Sequence, residues 1–323
     1  MLVRSHEAPA HQNGYKPRLA AAVNPFYWAE RASEGRFWVT MLLLPAILVI
    51  AVIVLYPTLY GIGLSVREMR LTRPDLGTGF VGLKHYAALI SDPVFWTAIR
   101  NTAVWVAASV GAEVALGLIS ALVLNRPLPG LKAAAVLVLI PWILPNVVAG
   151  NMWALLLDAR LGVLNDICVR VGILDSYKAW FADPATALAA AILVEAWHGF
   201  PFFTLLFMAA LKGIPEELNE AAYVDGAGLR QRFRFVTLPM LKPIIVVSVI
   251  LRVIGLVNSP ELLLILTGGG PGHATMVLSL YAFETAYRAF DFGYSGALSV
   301  VALCLLMFFA YIYVRATNVV RDT

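Results

Sequence analysis

Residues 220–239 read EAAYVDGAGLRQRFRFVTLP and lie between two long apolar segments. Pro215 predicts that a short helix begins just before them, because the missing N–H of proline is tolerated in the first helical turn. Gly226 predicts the end of that helix, since glycine readily adopts the conformation that terminates helices. A second short helix is predicted over 229–236, with its end at Leu238-Pro239. The first helix is rich in small residues, which allow the backbone of another protein to approach closely.

The composition of the 323-residue chain places it in a membrane. Hydrophobic residues make up 60% of it and charged residues only 14%, whereas a soluble globular chain carries roughly 25% charged residues. This excludes soluble enzymes, and it also excludes a disordered chain, which would be polar and charge-rich. The net charge of +4 is typical of a membrane protein with basic cytoplasmic loops, so no nucleic-acid partner is expected.

The sequence also excludes several kinds of site. Cys168 and Cys304 stand far apart and form neither a disulfide framework nor a metal cluster, so no metal is expected. No Gly-x-x-x-x-Gly-Lys-Ser/Thr sequence occurs, so the chain is not expected to bind ATP through a P-loop. The hydrolase sequences His-Glu-x-x-His and Gly-x-Ser-x-Gly do not occur either.

Stretches with few or no charges predict six membrane-spanning helices, because about 20 apolar residues cross a bilayer. The predicted spans are about 38–66, 97–124, 133–157, 185–211, 241–266 and 292–315. The predicted fold class is therefore an all-α polytopic membrane protein. Its domain covers 38–315 and includes the loop 212–240, with a segment 1–37 before it and a tail 316–323 after it. Aromatic residues at 26–28 favour an interfacial helix in the first segment.

The distribution of lysine and arginine predicts the orientation of the spans. With the N-terminus in the cytoplasm, the inside segments hold 14 of these residues and the outside loops hold 8. Basic residues concentrate on the cytoplasmic side, so both termini and the loop 212–240 are predicted to be cytoplasmic. The alternative for the loop is a solvated basic segment that only follows this rule.

The amino-acid sequence of the loop resembles that of a known protein family. Glu220-Ala221-Ala222, Gly226, Val236 and Leu238-Pro239 resemble the EAA loop of ABC importer permeases, with Val236 where the family has Ile, and Asp225-Gly226-Ala227 resembles the sugar-importer branch. Weaker matches follow in the family's order from about residue 40 to 315: Asn101-Thr102, Asn125-Arg126, Pro141, Pro145, Trp153, Trp197, Gly199, Pro201 and Gly269-Gly270-Pro271. The chain is most similar to the permeases of trehalose-type disaccharide importers.

The resemblance implies a type I ABC importer permease fold in the bacterial cytoplasmic (inner) membrane, and import of a sugar such as trehalose by alternating access. It implies that the loop is a coupling helix that docks in a groove of a cytoplasmic ATPase. The implied coupling residues are Glu220, Ala221, Ala222, Asp225, Gly226, Ala227, Phe233, Leu238 and Pro239. The implied partners are a second homologous permease, two ABC ATPase subunits, an extracytoplasmic sugar-binding protein and membrane lipid. ATP and magnesium are expected on the ATPase subunits, so this chain is expected to hold no cofactor and to be no enzyme by itself.

Ionisable residues inside spans are costly and usually functional, and four charged residues lie away from the first and last four positions of the predicted spans: Glu113, Glu195, Arg252 and Glu261. Two helix faces with i, i+3, i+4, i+7 spacing combine polar groups, glycine and apolar surface: Glu195, His198, Gly199 and Phe202, and then Arg252, Gly255, Leu256 and Ser259, with Asn258 beside them. A sugar needs hydrogen bonds for its hydroxyls and a flat apolar surface for its C–H face. In maltose-type permeases these faces match the sugar-holding positions, so the resemblance implies substrate contacts here. This chain departs from that pattern at Glu195, Arg252 and Leu256.

Other roles for these residues stay open. Glu195 and Arg252 are predicted either to contact sugar or to form a buried ion pair, and the two roles are compatible. His198 is expected to make an interhelical hydrogen bond, and Glu113 to pack against another helix or subunit. The stretch from Asn258 to Glu261 contains Pro260 and predicts a kink, where these residues line the pathway or an outer gate.

Three rival functions differ in testable ways. A proton-driven transporter would use Glu195, His198 and Glu261 as a relay and need no ATPase. An intramembrane enzyme would use Glu195 and His198 as acid and base. A third rival keeps the family and changes the substrate to glycerol-3-phosphate or another anion attracted by Arg252.

Overall fold

The computed structural model of the protein describes residues 36–317. The predicted interfacial segment at 26–28 and most of the tail 316–323 lie outside the described residues. Within them the chain contains no β-strand, and only two isolated bridges, Arg67 with Phe80 and Arg70 with Asp291, interrupt the helical structure. The predicted all-α class is confirmed.

The chain divides into two units, Met1–Tyr60 and Gly61–Thr323. The described part of the first unit is an apolar helical run: α1 (Arg36–Ile50), a π-helical turn (Ala51–Leu55) and the start of α2 (Tyr56–Leu64). Pro57 supplies no N–H at the end of the π-helical turn, and the neighbouring Thr58 hydroxyl donates to the Val54 carbonyl at 2.7 Å. Proline is therefore accommodated by a local change in helix pitch.

The second unit contains the remaining helices. They are α3 (Lys84–Ser91), α4 (Pro93–Leu124), α5 (Leu131–Ile143), α6 (Asn146–Leu156), α7 (Val163–Arg170), α8 (Ala187–Lys212), α9 (Glu216–Val224), α10 (Leu229–Arg232), α11 (Leu238–Asn258), α12 (Glu261–Leu266), α13 (Leu278–Tyr287) and α14 (Phe292–Thr317). A 3₁₀ turn (Pro74–Leu76) precedes α3, and a π-helical segment (Phe233–Thr237) joins α10 to α11.

Five helical runs in the described residues are long and apolar enough to cross a membrane: Thr40–Leu64, Pro93–Leu124, Ala187–Lys212, Leu229–Asn258 and Phe292–Thr317. The pair α5 and α6 passes the same criterion together, which gives up to six spans. The order of these runs along the chain matches the order of the six predicted spans.

The third predicted span, about 133–157, is not one straight helix. It is broken between α5 and α6, whose axes differ by 96°. The break follows from Pro145, because a residue before proline is driven out of the α-helical region, and Leu144 has φ −67° and ψ 134°. The two helices together cover the predicted range, and the break between them was not predicted.

The fifth predicted span, about 241–266, differs from the structure at both ends. Helical structure runs without interruption from Leu229 to Asn258, through the π-helical segment and past Pro239. The predicted helix end at Leu238-Pro239 was therefore wrong: a π-helical turn directly before the proline changes the hydrogen-bond ladder where the ring supplies no N–H. At the other end, a break at Ser259 and Pro260 separates α11 from α12, so the kink predicted from Pro260 is confirmed.

The core is centred on the contact between α4 and α8. Gly117 of α4 faces α8 so closely that a Cβ there would lie 2.5 Å from the Cβ of Phe203 and 3.1 Å from the Phe200 carbonyl oxygen. Small residues at such crossings allow helix backbones to pack tightly in membranes. Trp105, Phe203 and Phe207 are almost completely buried around this crossing, so α4 and α8 form the frame on which the polar side chains are held.

The start of α4 is tied to the segment between α12 and α14. The amide of Asn101 donates to the carbonyl oxygens of His273, Ala274 and Met276 at 3.0 to 3.1 Å. The Thr102 hydroxyl accepts from the Leu278 backbone N–H at 2.9 Å. The Asn-Thr pair at 101–102 therefore satisfies the backbone of a long connecting segment.

Asp92 is the centre of a second polar network at this end of α4. Its carboxylate accepts from the hydroxyls of Tyr281 (2.6 Å) and Tyr294 (2.7 Å) and from the Val94 N–H (2.8 Å), which caps the helix. Burial raises the pKa of the Asp92 carboxyl, but these hydrogen bonds outweigh burial and hold its pKa below the usual value. Burial and the same carboxylate raise the pKa of Tyr281 to about 12.

Candidate functional site

Three ionisable side chains from three membrane helices meet in one cluster, which we call the charge cluster: Glu113 of α4, Glu195 of α8 and Arg252 of α11. Arg252 Nε donates to Glu113 Oε2 at 2.7 Å and Nη2 donates to Glu113 Oε1 at 2.6 Å. The same Nη2 also donates to Glu195 Oε1. Glu113 is completely buried, and the Arg252 side chain is 19% exposed. The charge cluster joins the three helices at one depth.

Gly199 makes the charge cluster possible. A Cβ added at Gly199 would collide with Glu113 Oε1 and with Arg252 Nη2. Because Gly199 lies one turn after Glu195 on α8, the absence of its side chain creates the space in which the guanidinium reaches both carboxylates. Gly199 is therefore a packing position in the described structure.

The structure forms the Glu195–Arg252 ion pair, one of the two predicted alternatives. Glu113 was expected to pack against another helix or subunit, and it makes a two-point contact with Arg252 of α11. A charge in a membrane needs a partner, and the sequence places Glu113, Glu195 and Arg252 well inside three different predicted spans. The need of each carboxylate for a cation is the sequence feature that could have placed Glu113 beside Arg252.

His198 lies one turn from Glu195 on α8 and makes a hydrogen bond to the backbone at the break between α5 and α6. Its Nε2 lies 3.0 Å from the carbonyl oxygen of Leu144. A carbonyl only accepts, so Nε2–H is the donor. The break at Leu144 frees this carbonyl from helical hydrogen bonding, and an unpaired carbonyl is costly in a membrane. The predicted interhelical hydrogen bond of His198 is present.

The structure divides the remaining predicted substrate residues into two groups. Gly255, Asn258 and Ser259 are exposed, whereas Leu256 is buried in the hydrophobic core. Ser259 follows the last residue of α11, so the predicted four-residue face on this span does not exist as one helical face. On α8, Phe202 is half-buried, and its ring lies 6.1 Å from that of Trp142.

A further polar contact connects the two broken spans. The amide of Asn146, at the start of α6, donates to Glu261 Oε2 at 2.8 Å at the start of α12. Both residues directly follow a proline that breaks a helix. The contact joins two helix breaks and gives Glu261 a hydrogen-bond donor.

The loop between α8 and α11 contains two short helices that meet at Gly226. Glu216 and Glu217 occupy the first turn of α9, where the helix dipole favours acids. Gly226 has φ +76°, and no atom lies within 4 Å of where its Cβ would be. This left-handed conformation is accessible to glycine at little cost, so Gly226 sets the turn between α9 and α10.

The predicted coupling residues form a largely exposed surface, which we call the coupling surface. Exposed members are Glu220, Ala221, Asp225, Gly226, Leu238 and Pro239, and half-buried members are Ala222, Ala227 and Phe233. Hydrophobic side chains beside them are also exposed, Tyr223 by 75% and Val224 by 84%. Small and apolar residues on an exposed turn are typical of a surface that another protein covers.

Comparisons with known proteins identify the family. Residues 113–318 match the model of the family described as binding-protein-dependent transport system inner membrane component. The chain belongs to this family. The permease is therefore a multi-pass protein of the cytoplasmic (inner) membrane, and the family works with a binding protein.

Individual relatives agree with this. The chain is 35% identical to the trehalose/maltose transport system permease protein MalF of Thermococcus litoralis, over 87% of this chain and 94% of that protein. It is 36% identical to the sulfoquinovosyl glycerol transport system permease protein SmoG of Agrobacterium fabrum, over 87% and 90%. A solved bacterial alginate ABC transporter, in complex with an alginate pentasaccharide-bound periplasmic protein, has a subunit with a TM-score of 0.74 at 22% identity, covering 89% of this chain and 98% of that one. The predicted ABC permease fold is confirmed.

Proposed function

We propose that the chain is the transmembrane permease subunit of an ABC importer that moves a sugar, a disaccharide such as trehalose, into the cytoplasm. The observation that carries this proposal is the coupling surface: two short helices turning at Gly226, exposed between α8 and α11. The 35% identity to a trehalose/maltose permease supports a disaccharide. The chain is 36% identical to SmoG, so the choice among sugars is left to the uptake experiment below.

The proposed complex contains this permease, a second homologous permease, two ABC ATPase subunits and an extracytoplasmic sugar-binding protein. The ATPase subunits bind ATP and magnesium, and both termini of this chain lie in the cytoplasm. ATP binding closes the ATPase pair, the coupling surface transmits that motion to α8 and α11, and the pathway changes from inward-facing to outward-facing. Closure acts because the ATPase pair binds one conformation better than the other.

The charge cluster lies on the two helices that flank the coupling surface, α8 and α11, and links both to α4. In this proposal it moves with these helices, and its exposed neighbours Gly255, Asn258 and Ser259 face the sugar. Arg252 already contacts two carboxylates, so no positive charge remains for an anion. This favours a neutral sugar over glycerol-3-phosphate.

Purification from detergent-solubilised membranes tests the assembly. The tagged chain is co-expressed with the subunits encoded beside it, and the retained proteins are identified. Retention of a P-loop ATPase and a second six-span permease is expected. Recovery of the chain alone, active in proton-driven uptake, would replace the importer by a secondary transporter.

Uptake in proteoliposomes tests the substrate. The purified complex with its binding protein is expected to accumulate trehalose only with ATP inside. Glu195→Gln keeps a hydrogen-bond acceptor for Arg252 and leaves the Glu113 pair intact, so basal ATPase activity should persist. If Glu195 contributes to sugar passage, trehalose uptake falls, and unchanged uptake kinetics would limit Glu195 to helix packing.

A further inference from the structure

A basic cleft of about 930 Å³ lies where α4 ends and the loop helices begin. Its lining combines apolar side chains, including Leu122 and Phe233, with four arginines: Arg126, Arg230, Arg232 and Arg234. None of the described residues that line it is acidic. We propose that this cleft binds the headgroup of an anionic phospholipid from the cytoplasmic leaflet. The choice of leaflet rests on the proposed orientation of the chain.

Among the described residues, no carboxylate balances the four guanidinium groups. In the part of the chain that the structure describes, none of them has a carboxylate within ion-pair distance. Arg232 Nε is buried and has no hydrogen-bond partner there. A buried guanidinium N–H is costly unless an acceptor is present. Phosphate oxygens are suitable acceptors, because arginine binds them through two parallel hydrogen bonds.

The position of the cleft favours a lipid over a soluble phosphate compound. Leu122 lies in the last turn of α4, Arg126 is two residues beyond that helix, and Leu238 is the first residue of α11. The cleft thus lies at the boundary between apolar spans and polar loops, the level of the phosphate groups in a bilayer. Its apolar lining suits acyl chains, and basic pockets at the cytoplasmic ends of membrane helices attract anionic headgroups.

The cleft is distinct from most of the coupling surface. Asn219 is the single α9 residue in its lining, so Glu220, Ala221 and Gly226 lie outside it. Phe233 and Leu238 belong to both surfaces. A headgroup in the cleft would therefore contact the π-helical segment that joins the loop to α11, and anionic lipid would stabilise the loop from the membrane side.

Native mass spectrometry of the purified complex tests the proposal. The complex is exposed to dioleoylphosphatidylglycerol or to dioleoylphosphatidylcholine, which share their acyl chains, and the retained lipid is counted. The cleft variants are Arg126→Gln/Arg232→Gln and Arg126→Gln/Arg230→Gln; the second changes two exposed residues only, in case the first fails to fold. Arg67→Gln/Arg160→Gln removes the same charge from two exposed arginines outside the cleft.

Retention of phosphatidylglycerol at about tenfold over phosphatidylcholine is expected for the wild-type and control proteins, with about a tenfold loss in the cleft variants. Equal retention of the two lipids, or equal loss in cleft and control variants, would overturn the proposal. Displacement of phosphatidylglycerol by inorganic phosphate would assign the cleft to soluble phosphate compounds instead. Binding to the chain alone but not to the ATPase-bearing complex would make the cleft an ATPase contact. Retention is measured without ATP or sugar, so a failure of the transport proposal leaves this result readable.

Discussion

The charge cluster joins α8 and α11 to α4, whereas the coupling surface lies on the loop that connects α8 to α11, and the two regions treat their polar groups in opposite ways. In the charge cluster, each ionised group finds its partners inside the chain, and a glycine provides the space for them. Beside the coupling surface, Tyr223 and Val224 are exposed, and the four arginines of the basic cleft have no carboxylate partner among the described residues. The first region pairs its charges within this chain, whereas the second exposes apolar and basic side chains that, in our proposal, other molecules cover. Substitutions should therefore change stability in the first region and communication with partners in the second.

The largest effect on stability is expected for Arg252→Met. It leaves Glu113 and Glu195 buried side by side without a cation. Removing one partner of a buried ion pair costs about 3–5 kcal/mol, so a loss of about 4 kcal/mol is expected. Thermal unfolding of the purified complex and its yield from membranes measure the loss.

A neutral triple variant is the control for this substitution. Glu113→Gln/Glu195→Gln/Arg252→Met removes the uncompensated charges and should regain much of the lost stability. If Arg252→Met unfolds at the wild-type temperature, the charge cluster does not hold the three helices together and the contrast between the regions fails.

The next largest effect on stability is expected when Gly199 is replaced, with Gly255 as the control position. Gly199→Ala places a methyl group against Glu113 and Arg252 and should cost about 2 kcal/mol, since overfilling a packed core costs about 1–3 kcal/mol. Gly255→Ala is the matched control, because no atom lies within 4 Å of its added Cβ and alanine favours a helix by up to about 1 kcal/mol. The unfolding temperatures of the two variants should therefore move in opposite directions. Equal shifts would show that Gly199 is not a packing position.

The Asp92 network is a second closed region and should behave like the charge cluster. Asp92→Asn weakens hydrogen bonds to a charged acceptor, and each such bond contributes about 1.5–3 kcal/mol, so a loss of about 2 kcal/mol at neutral pH is expected. The folded pKa of Asp92 lies below its usual value of 3.8. Its contribution is therefore full above that pH and disappears as the pH falls through the folded value.

Unfolding temperatures of wild type and Asp92→Asn across pH measure this. Their difference should be constant near neutral pH and shrink below about pH 4. Tyr281→Phe removes one donor and should cost less than Asp92→Asn. The raised pKa of Tyr281 adds a loss of wild-type stability on the alkaline side, which begins near its usual pKa of 10.0 and is complete above about 12. A difference that stays constant down to acid pH would contradict the role given to Asp92.

Much of the fold follows from the sequence. The length of the apolar segments predicts the membrane spans, and the sequence motif of the loop predicts the family. The breaks were harder to place. Pro145 and Pro239 look alike in the sequence, yet the first bends a span by 96° and the second lies in a continuous helix. The outcome depends on whether the freed carbonyl finds a partner, as Leu144 finds His198, or on whether a π-helical turn adjusts the hydrogen bonds. Both depend on tertiary contacts.

The candidate site shows the same limit. Helical spacing placed Glu195, His198 and Gly199 on one face, and these three residues do lie together. Spacing could not show that Glu113 completes the charge cluster, because its partner stands 139 positions away along the chain. It also placed Ser259 on a helix that ends one residue earlier. Periodicity within one helix therefore predicts faces, and only packing between helices decides which side chains meet.

The smallest effect on stability is expected for Gly226→Asp, and it separates the two regions most sharply. A Cβ at Gly226 would have no atom within 4 Å, so the cost is limited to the strain of a left-handed residue, about 1–2 kcal/mol, part of which an exposed turn relieves. Yet the turn between α9 and α10 should change, and sugar-stimulated ATPase activity should be abolished while the complex still assembles. Gly228→Ala is the matched control, because Gly228 has φ −70° and accepts a side chain without strain. Co-purification of the ATPase measures assembly, and stimulation of ATPase activity by sugar and binding protein measures coupling. Normal stimulation in Gly226→Asp would mean that the coupling surface does not transmit the motion of the ATPase, while loss of assembly would mean that it contributes binding energy as the charge cluster does.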